Sequence, residues 1–200
     1  MISDPVLVLI DLQKDFCKQV SQDGTVFEAH PVLQPKLENV RAFLDHYRAS
    51  GRTPIFVRTI HHDYTVSDEW NRRYDRPRGM VCRAGTEGAD FVPELDVRAT
   101  DPVVTKHRYS GFFQTDLDLY LSTNNVSHVL LAGASTNVCV ASTMHGAYNR
   151  DYRVTLLSDC CLSLESELHE AALKTAQQYF GDVRESSDIA LPPLTPPETV

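Results

Sequence analysis

The chain has 200 residues, 42% hydrophobic and 23% charged, a balance that suits one compact globular domain with a sizeable core. With 19 basic and 27 acidic residues its formal net charge is -8, which argues against nucleic acid or an anionic membrane as partner. No apolar stretch approaches the roughly 20 residues that span a bilayer, and residues 1–11 lack the basic leader and cleavage site of a secretory signal, so a cytoplasmic location is expected.

Val6–Ile10 (VLVLI) is a β-branched and aliphatic run that reads as a strand buried on both faces, ending at Asp11. Across residues 32–49, Leu33, Leu37, Val40, Phe43, Leu44 and Tyr47 recur at helical spacing, with Pro31 suited to the start and Gly51 to the end. Residues 54–60 (PIFVRTI) read as the next strand. Residues 61–90 show no clear period and are rich in Arg, Asp, Gly and Tyr; so long a connection is expected to wall a pocket.

Residues 101–106 (DPVVTK) form a third predicted strand, and a helix begins over 115–121 with Thr115 or Asp116 as its cap. A fourth strand over 127–132 is expected to break at Gly133, followed by a helix over 137–149 and a fifth strand over 153–158. A closing helix over 164–180 ends at Gly181, and 183–186 suits an edge strand. This alternation predicts an α/β fold: a Rossmann-type, three-layer α-β-α sandwich with a mainly parallel central sheet. Residues 1–190 are expected to form a single domain, with 191–200 (LPPLTPPETV) as an extended or loose Pro-rich tail.

Three reactive side chains fall at carboxyl ends of predicted strands or just beyond: Asp11 after VLVLI, Lys106 after VVT, and Cys139 after HVLLA. In such sheets the ligand crevice lies at those ends. A thiol, a carboxylate and an ammonium on one rim make a sensible acyl-transfer site. GASTNVCV puts Cys139 near a helix start, where unpaired N–H groups and the dipole favour thiolate. A carboxylate there can accept the thiol proton, and backbone N–H groups of the 133–139 turn can hold an oxyanion. Taken singly, each residue has an ordinary explanation: a packed Cys, a capping Asp, a solvated Lys. The other four cysteines (Cys17, Cys82, Cys160, Cys161) show no metal-type spacing and are expected as reduced, mostly buried thiols.

Three ordered motifs carry a family resemblance: VLVLIDLQKDF around Asp11, KHRYSGFFQTDLDLYL after Lys106, and LAGASTNVCVASTMHGAYNRDY around Cys139. From about residue 6 to 183 the chain resembles the isochorismatase-like cysteine hydrolases, a group that includes nicotinamidases, N-carbamoylsarcosine amidases, biuret hydrolases and ureidoacrylate amidohydrolases. The resemblance implies Cys139 as nucleophile, Asp11 as catalytic carboxylate and Lys106 as catalytic lysine. It also implies a non-proline cis peptide at Ala134–Ser135, which helps turn backbone N–H groups, that of Cys139 included, toward the oxyanion. A homodimer or homotetramer is implied as well.

Metal-dependent nicotinamidases carry an Asp-x-His motif, which VRTIHHDYTVSDEW lacks. His61, His62 and Asp63 are therefore read as pocket-flanking residues, with no metal and no cofactor expected. True isochorismatases lack the nucleophilic cysteine, so Cys139 points to amide chemistry. KHRYSGFF is similar to ureidoacrylate amidohydrolases, and STMHGAYNRDY with LLSDCC to biuret hydrolases, which implies a small amide or ureide substrate cleaved through a thioester. A ureide needs polar groups on an aromatic frame, and the candidates for it are Phe16, His61, Trp70, Tyr74, Tyr109 and Phe113. Competing readings are a nicotinamidase- or isochorismatase-type hydrolase, a non-catalytic binding or scaffold member, and a redox role for Cys139.

Overall fold

The computed structural model describes residues 4–20, 26–72 and 80–194. The run Val6–Ile10 is strand β1, followed by a helical turn α1 (Lys14–Cys17) and two short antiparallel strands, β2 (Lys18–Val20) and β3 (Val26–Ala29). Helix α2 (Gln34–Ala49) leads to β4 (Ile55–Thr59), the short α3 (Asp68–Asn71), β5 (Val103–Lys106) and α4 (Leu117–Thr123). Next comes β6 (His128–Ala134), whose π-helical continuation Thr136–Val140 runs into α5 (Ala141–Tyr148). Strand β7 (Arg153–Leu162), α6 (Ser166–Tyr179) and β8 (Asp182–Arg184) complete the order.

Six strands form one parallel sheet in the order β5-β4-β1-β6-β7-β8, flanked by helices, so the α/β expectation is met. Because side chains alternate along a strand, Leu7 and Leu9 join one core and Val8 and Ile10 the other. The first core takes Leu37, Val40, Phe43, Leu44 and Tyr47 from α2; the second takes Leu117 and Leu121 from α4, Met144 and Ala147 from α5 and Ala176 from α6. The chain leaves β1 toward β4 and leaves β6 toward β7, so the direction of winding reverses between β1 and β6. Their carboxyl ends mark the crevice of such a sheet.

Four details depart from the sequence expectation. Helix α2 starts at Gln34 with Pro35 in its first turn, whereas Pro31 sits in a preceding turn closed by Leu33 and Gln34 N–H groups on the His30 carbonyl. Strand β6 does not break at Gly133 but runs to Ala134. Gly133 has φ 131°, and a Cβ there would lie 2.0 Å from the Ile10 carbonyl oxygen. Glycine therefore continues the sheet here, because only its bare backbone lets β1 approach so closely. Strand β7 also outruns its expected end: pairing with β6 jumps from Leu131–Leu156 to Gly133–Cys161, so residues 157–160 bulge before the strand resumes. Lastly, α4 begins at Leu117, later than expected; of the two cap candidates Asp116 makes no side-chain cap hydrogen bond, whereas Thr115 Oγ1 accepts from Leu117 N–H (3.3 Å).

Cys160 and Cys161 enter opposite cores, and all five cysteines are free and buried. Leu191 is buried, the Arg52 guanidinium donates to the Pro192 carbonyl (2.9 Å), and Leu194 N–H donates to the Ser50 carbonyl (3.1 Å). The first part of the Pro-rich tail is thus docked against the end of α2. No described helix is long and apolar enough to cross a membrane.

Candidate active site

Asp11, Lys106 and Cys139 converge at the carboxyl ends of β1, β5 and β6. Asp11 follows β1 directly, with φ 52° and its N–H on the Val57 carbonyl (2.8 Å), a left-handed turn that swings the carboxylate over the sheet edge. Lys106 lies two strands away, and its long stem spans β4 to place Nζ 2.7 Å from Asp11 Oδ2. Nζ also donates to Thr59 Oγ1 (2.7 Å), to the Arg108 carbonyl (3.0 Å) and toward Cys139 Sγ (3.5 Å). Neither Asp11 nor Lys106 has any solvent exposure.

The electrostatics follow from that burial. Desolvation works against the Lys106 ammonium, but the Asp11 carboxylate and the Cys139 sulfur outweigh it and hold its pKa above the ordinary lysine value. Burial pushes the Cys139 thiol strongly up, and the Asp11 carboxylate adds to this against the pull of Lys106. Both act against the thiolate that the helix start favours. Thr59 Oγ1 donates to Asp11 Oδ1 (3.0 Å), and Oδ2 lies 2.7 Å from the Lys106 ammonium. A carboxylate beside a thiol is an arrangement suited to proton transfer.

Cys139 sits in the π-helical turn, whose Val138 and Val140 N–H groups both donate to the Ser135 carbonyl (3.0 and 3.2 Å). The Ala134–Ser135 peptide is cis. Thr143 Oγ1 accepts from Gly111 N–H (2.9 Å) and donates to the Cys139 carbonyl (2.7 Å), tying the segment after Lys106 to the turn that holds Cys139. Phe16 packs on the first core and borders a cavity of about 270 Å³ that Ala134, Ser135, Asn137 and Val138 also line.

The remaining candidates divide. His61, Trp70 and Tyr109 form one cluster: Trp70 stacks obliquely on Tyr109 with centroids 4.7 Å apart and donates its Nε1–H to His61 Nε2 (3.3 Å). His61 Nδ1–H donates to the Val81 carbonyl (2.7 Å), so both ring nitrogens are engaged, and burial lowers its pKa to favour this neutral ring. Asp63 pairs with Arg83, and His62 stacks on Tyr64, so the His61, His62, Asp63 run is spent on separate contacts. Among the described residues no group of three or more His, Cys, Asp or Glu is placed to hold a metal. Phe113 stands apart from the cluster, half exposed in a shallow cavity with Tyr64, Thr65, His107 and Arg108. Tyr74 lies outside the described residues.

Two residues escaped the sequence reading. Thr59 bridges Asp11 and Lys106 through its hydroxyl, and Gln13 fixes Thr59: its amide donates to the Thr59 and Ala89 carbonyls (2.8 and 2.7 Å) and accepts from Thr59 N–H (2.8 Å). A polar Thr at the end of the PIFVRTI strand was the available signal for the first. Gln13 carries no such signal, because its partners are backbone groups brought together only by the fold.

Residues 5–188 match the isochorismatase domain family. The chain is similar to the uncharacterized isochorismatase family protein YwoC of Bacillus subtilis, 31% identical over 183 residues, 91% of this chain and 90% of that protein. It is 29% identical to the ureidoacrylate amidohydrolase RutB of Klebsiella variicola, with 95% and 88% covered. Among solved structures it is similar to N-carbamoylsarcosine amidase from Thermoplasma acidophilum, with TM-score 0.75 at 26% identity over 93% of this chain and 98% of that one. An isochorismatase-like hydrolase from Alkaliphilus metalliredigens gives TM-score 0.73 at 29% identity, over 92% and 96%.

Proposed function

The chain belongs to the isochorismatase family, and on that premise we propose that it is a cysteine-dependent amidohydrolase cleaving the C–N bond of a small carbamoyl or other amide substrate. The observation that carries this reading is the single buried ammonium of Lys106, 2.7 Å from the Asp11 carboxylate and 3.5 Å from the Cys139 sulfur. Relatives named as ureidoacrylate amidohydrolase and N-carbamoylsarcosine amidase support the substrate class.

In the proposed cycle Asp11 Oδ2 takes the thiol proton as sulfur bonds to the carbonyl carbon, so the thiolate forms only as it is consumed. The tetrahedral oxyanion is held by backbone N–H groups of the nucleophile's turn, that of Cys139 among them. On collapse the C–N bond breaks and the departing nitrogen receives the proton from Asp11. A water then gives its proton to Asp11 and attacks the thioester carbonyl; sulfur leaves and regains the proton as thiol. Lys106 stays protonated throughout and orients the Asp11 carboxyl group through its four proton transfers. His61, Trp70 and Tyr109 supply the aromatic and polar wall, and Phe16 borders the cavity beside the turn.

The test is ammonia release from a panel of ureides, carbamoyl amino acids and simple carboxamides. The reading expects hydrolysis of at least one ureide or amide by the parent protein. Hydrolysis of a vinyl ether such as isochorismate, with every amide inert, rejects it.

A further inference from the structure

A cavity of about 890 Å³ lies away from the catalytic cluster, where Lys36 of α2 and His169 of α6 meet the bulged part of β7 at Ser158 and Asp159. From its rim a polar chain runs inward to the nucleophile's turn. Lys36 Nζ lies 3.2 Å from the Ser158 carbonyl and 3.4 Å from His169 Nε2, His169 Nδ1 lies 2.9 Å from Thr136 Oγ1, and Thr136 Oγ1 lies 3.1 Å from the Leu162 carbonyl. Thr136 is the first residue of the π-helical turn that holds Cys139.

The direction of every link is fixed by proton counting. A charged Lys36 has three N–H donors and no acceptor, so His169 Nε2 must present its lone pair. In the neutral ring the proton then sits on Nδ1, which donates to Thr136 Oγ1. The Thr136 hydroxyl has one hydrogen and is left to give it to the Leu162 carbonyl. Were the ring to carry its proton on Nε2, that N–H would face the ammonium and Thr136 would lose its donor. Burial and Lys36 both lower the His169 pKa against the opposing pull of Glu170, which keeps the ring neutral. The other charged groups on the cavity wall are Lys174 on the same helix, Asp159 on β7 and Glu185 beyond β8.

We propose that Lys36 and His169 are positioning residues: Lys36 selects the Nδ1–H tautomer of His169, and His169 thereby pins Thr136 and the Cys139 turn to the end of β7. This rests on the amidohydrolase reading for its consequence in catalysis, but the tautomer itself does not depend on it. The nucleophile is then held by a surface-accessible lysine across the sheet from Lys106, an arrangement the catalytic motifs do not reveal.

Histidine ¹⁵N NMR on the parent protein is expected to show His169 as the Nδ1–H tautomer at pH 7.5. In Lys36→Met the ring is expected to shift toward Nε2–H, and in Lys36→Arg, a side chain that again only donates, to stay Nδ1–H. Iodoacetamide labelling of Cys139, read by peptide mass spectrometry, is expected to slow about tenfold or more in Lys36→Met and His169→Leu as the sulfur turns from Asp11. It should recover in Lys36→Arg and in His169→Asn, whose amide N–H replaces that of Nδ1. An Nε2–H ring in the parent, an unshifted tautomer in Lys36→Met, or labelling unchanged in both disabling variants overturns the proposal. Should the tautomers and labelling behave as expected while no amide is hydrolysed, the amidohydrolase reading fails and this one stands.

Discussion

Replacing Lys106 with Met separates the stability of the site from its chemistry. The substitution keeps the stem but deletes an ammonium with no solvent exposure, leaving the Asp11 carboxylate buried with Thr59 Oγ1 as its donor. Breaking a buried ion pair from one side costs about 3–5 kcal/mol, because the surviving charge is uncompensated. In a domain of this size each kcal/mol moves Tm by about 2–4 °C, so the melting temperature should fall by about 6–20 °C. The second variant, Asp11→Asn with Lys106→Met, leaves no charge behind and should regain most of that loss. Amide hydrolysis should be lost in both, since Lys106→Met removes the ammonium that orients Asp11 and the double variant also removes the base itself. The assay is urea unfolding of the parent, the two single variants and the double variant, which yields the coupling energy directly, with ammonia release on the same samples. A Lys106→Met protein within about 0.5 kcal/mol of the parent, or a double variant no more stable than Lys106→Met alone, refutes the buried pair as described.

Gln13→Ala strips partners from Thr59 N–H and from the Thr59 and Ala89 carbonyls, and at about 1–3 kcal/mol for a stranded buried group it should lower urea-unfolding stability by at least 1–3 kcal/mol; no measurable change contradicts the role given to Gln13. Gly133→Ala puts a methyl 2.0 Å from the Ile10 carbonyl oxygen and should prevent soluble expression or collapse the Tm, whereas a folded variant of parental stability means β1 and β6 are farther apart. The pKa values of His61, His128 and His169 are all lowered, each by burial first. The unfolded chain therefore binds protons that the native state refuses. Stability should fall as pH drops from about 6.5 toward the depressed native values and level off below them. His128→Gln should flatten part of that slope in pH-dependent thermal melts, and an unaltered slope counts against a neutral buried His128.

Much of this was legible in the chain because periodicity and burial agree. The Val6–Ile10 run has to be a central strand, since only a strand covered on both faces can bury four consecutive aliphatics, Leu7 to Ile10, and the helical spacing from Leu37 to Tyr47 matches the face that α2 buries. Asp11, Lys106 and Cys139 were visible as polar residues at strand ends. What the chain hid were effects of pairing in three dimensions. Gly133 reads locally as a breaker, yet the closeness of Ile10 makes it the residue that permits the strand. The Ser158–Asp159 bulge has no local signature because it arises from how β7 registers with β6. The helix-start argument for a thiolate at Cys139 could not include burial and the Asp11 charge, both of which push the thiol pKa up and become visible only in the fold.

The most direct measurement is ammonia release by Cys139→Ala and Cys139→Ser on whichever amide the parent hydrolyses, with folding verified by circular dichroism. If sulfur is the nucleophile, both variants keep the parental fold and turn over at least about 10⁴-fold more slowly, as removal of an acyl-transfer nucleophile requires. Either variant hydrolysing the substrate at close to the parental rate contradicts the assignment.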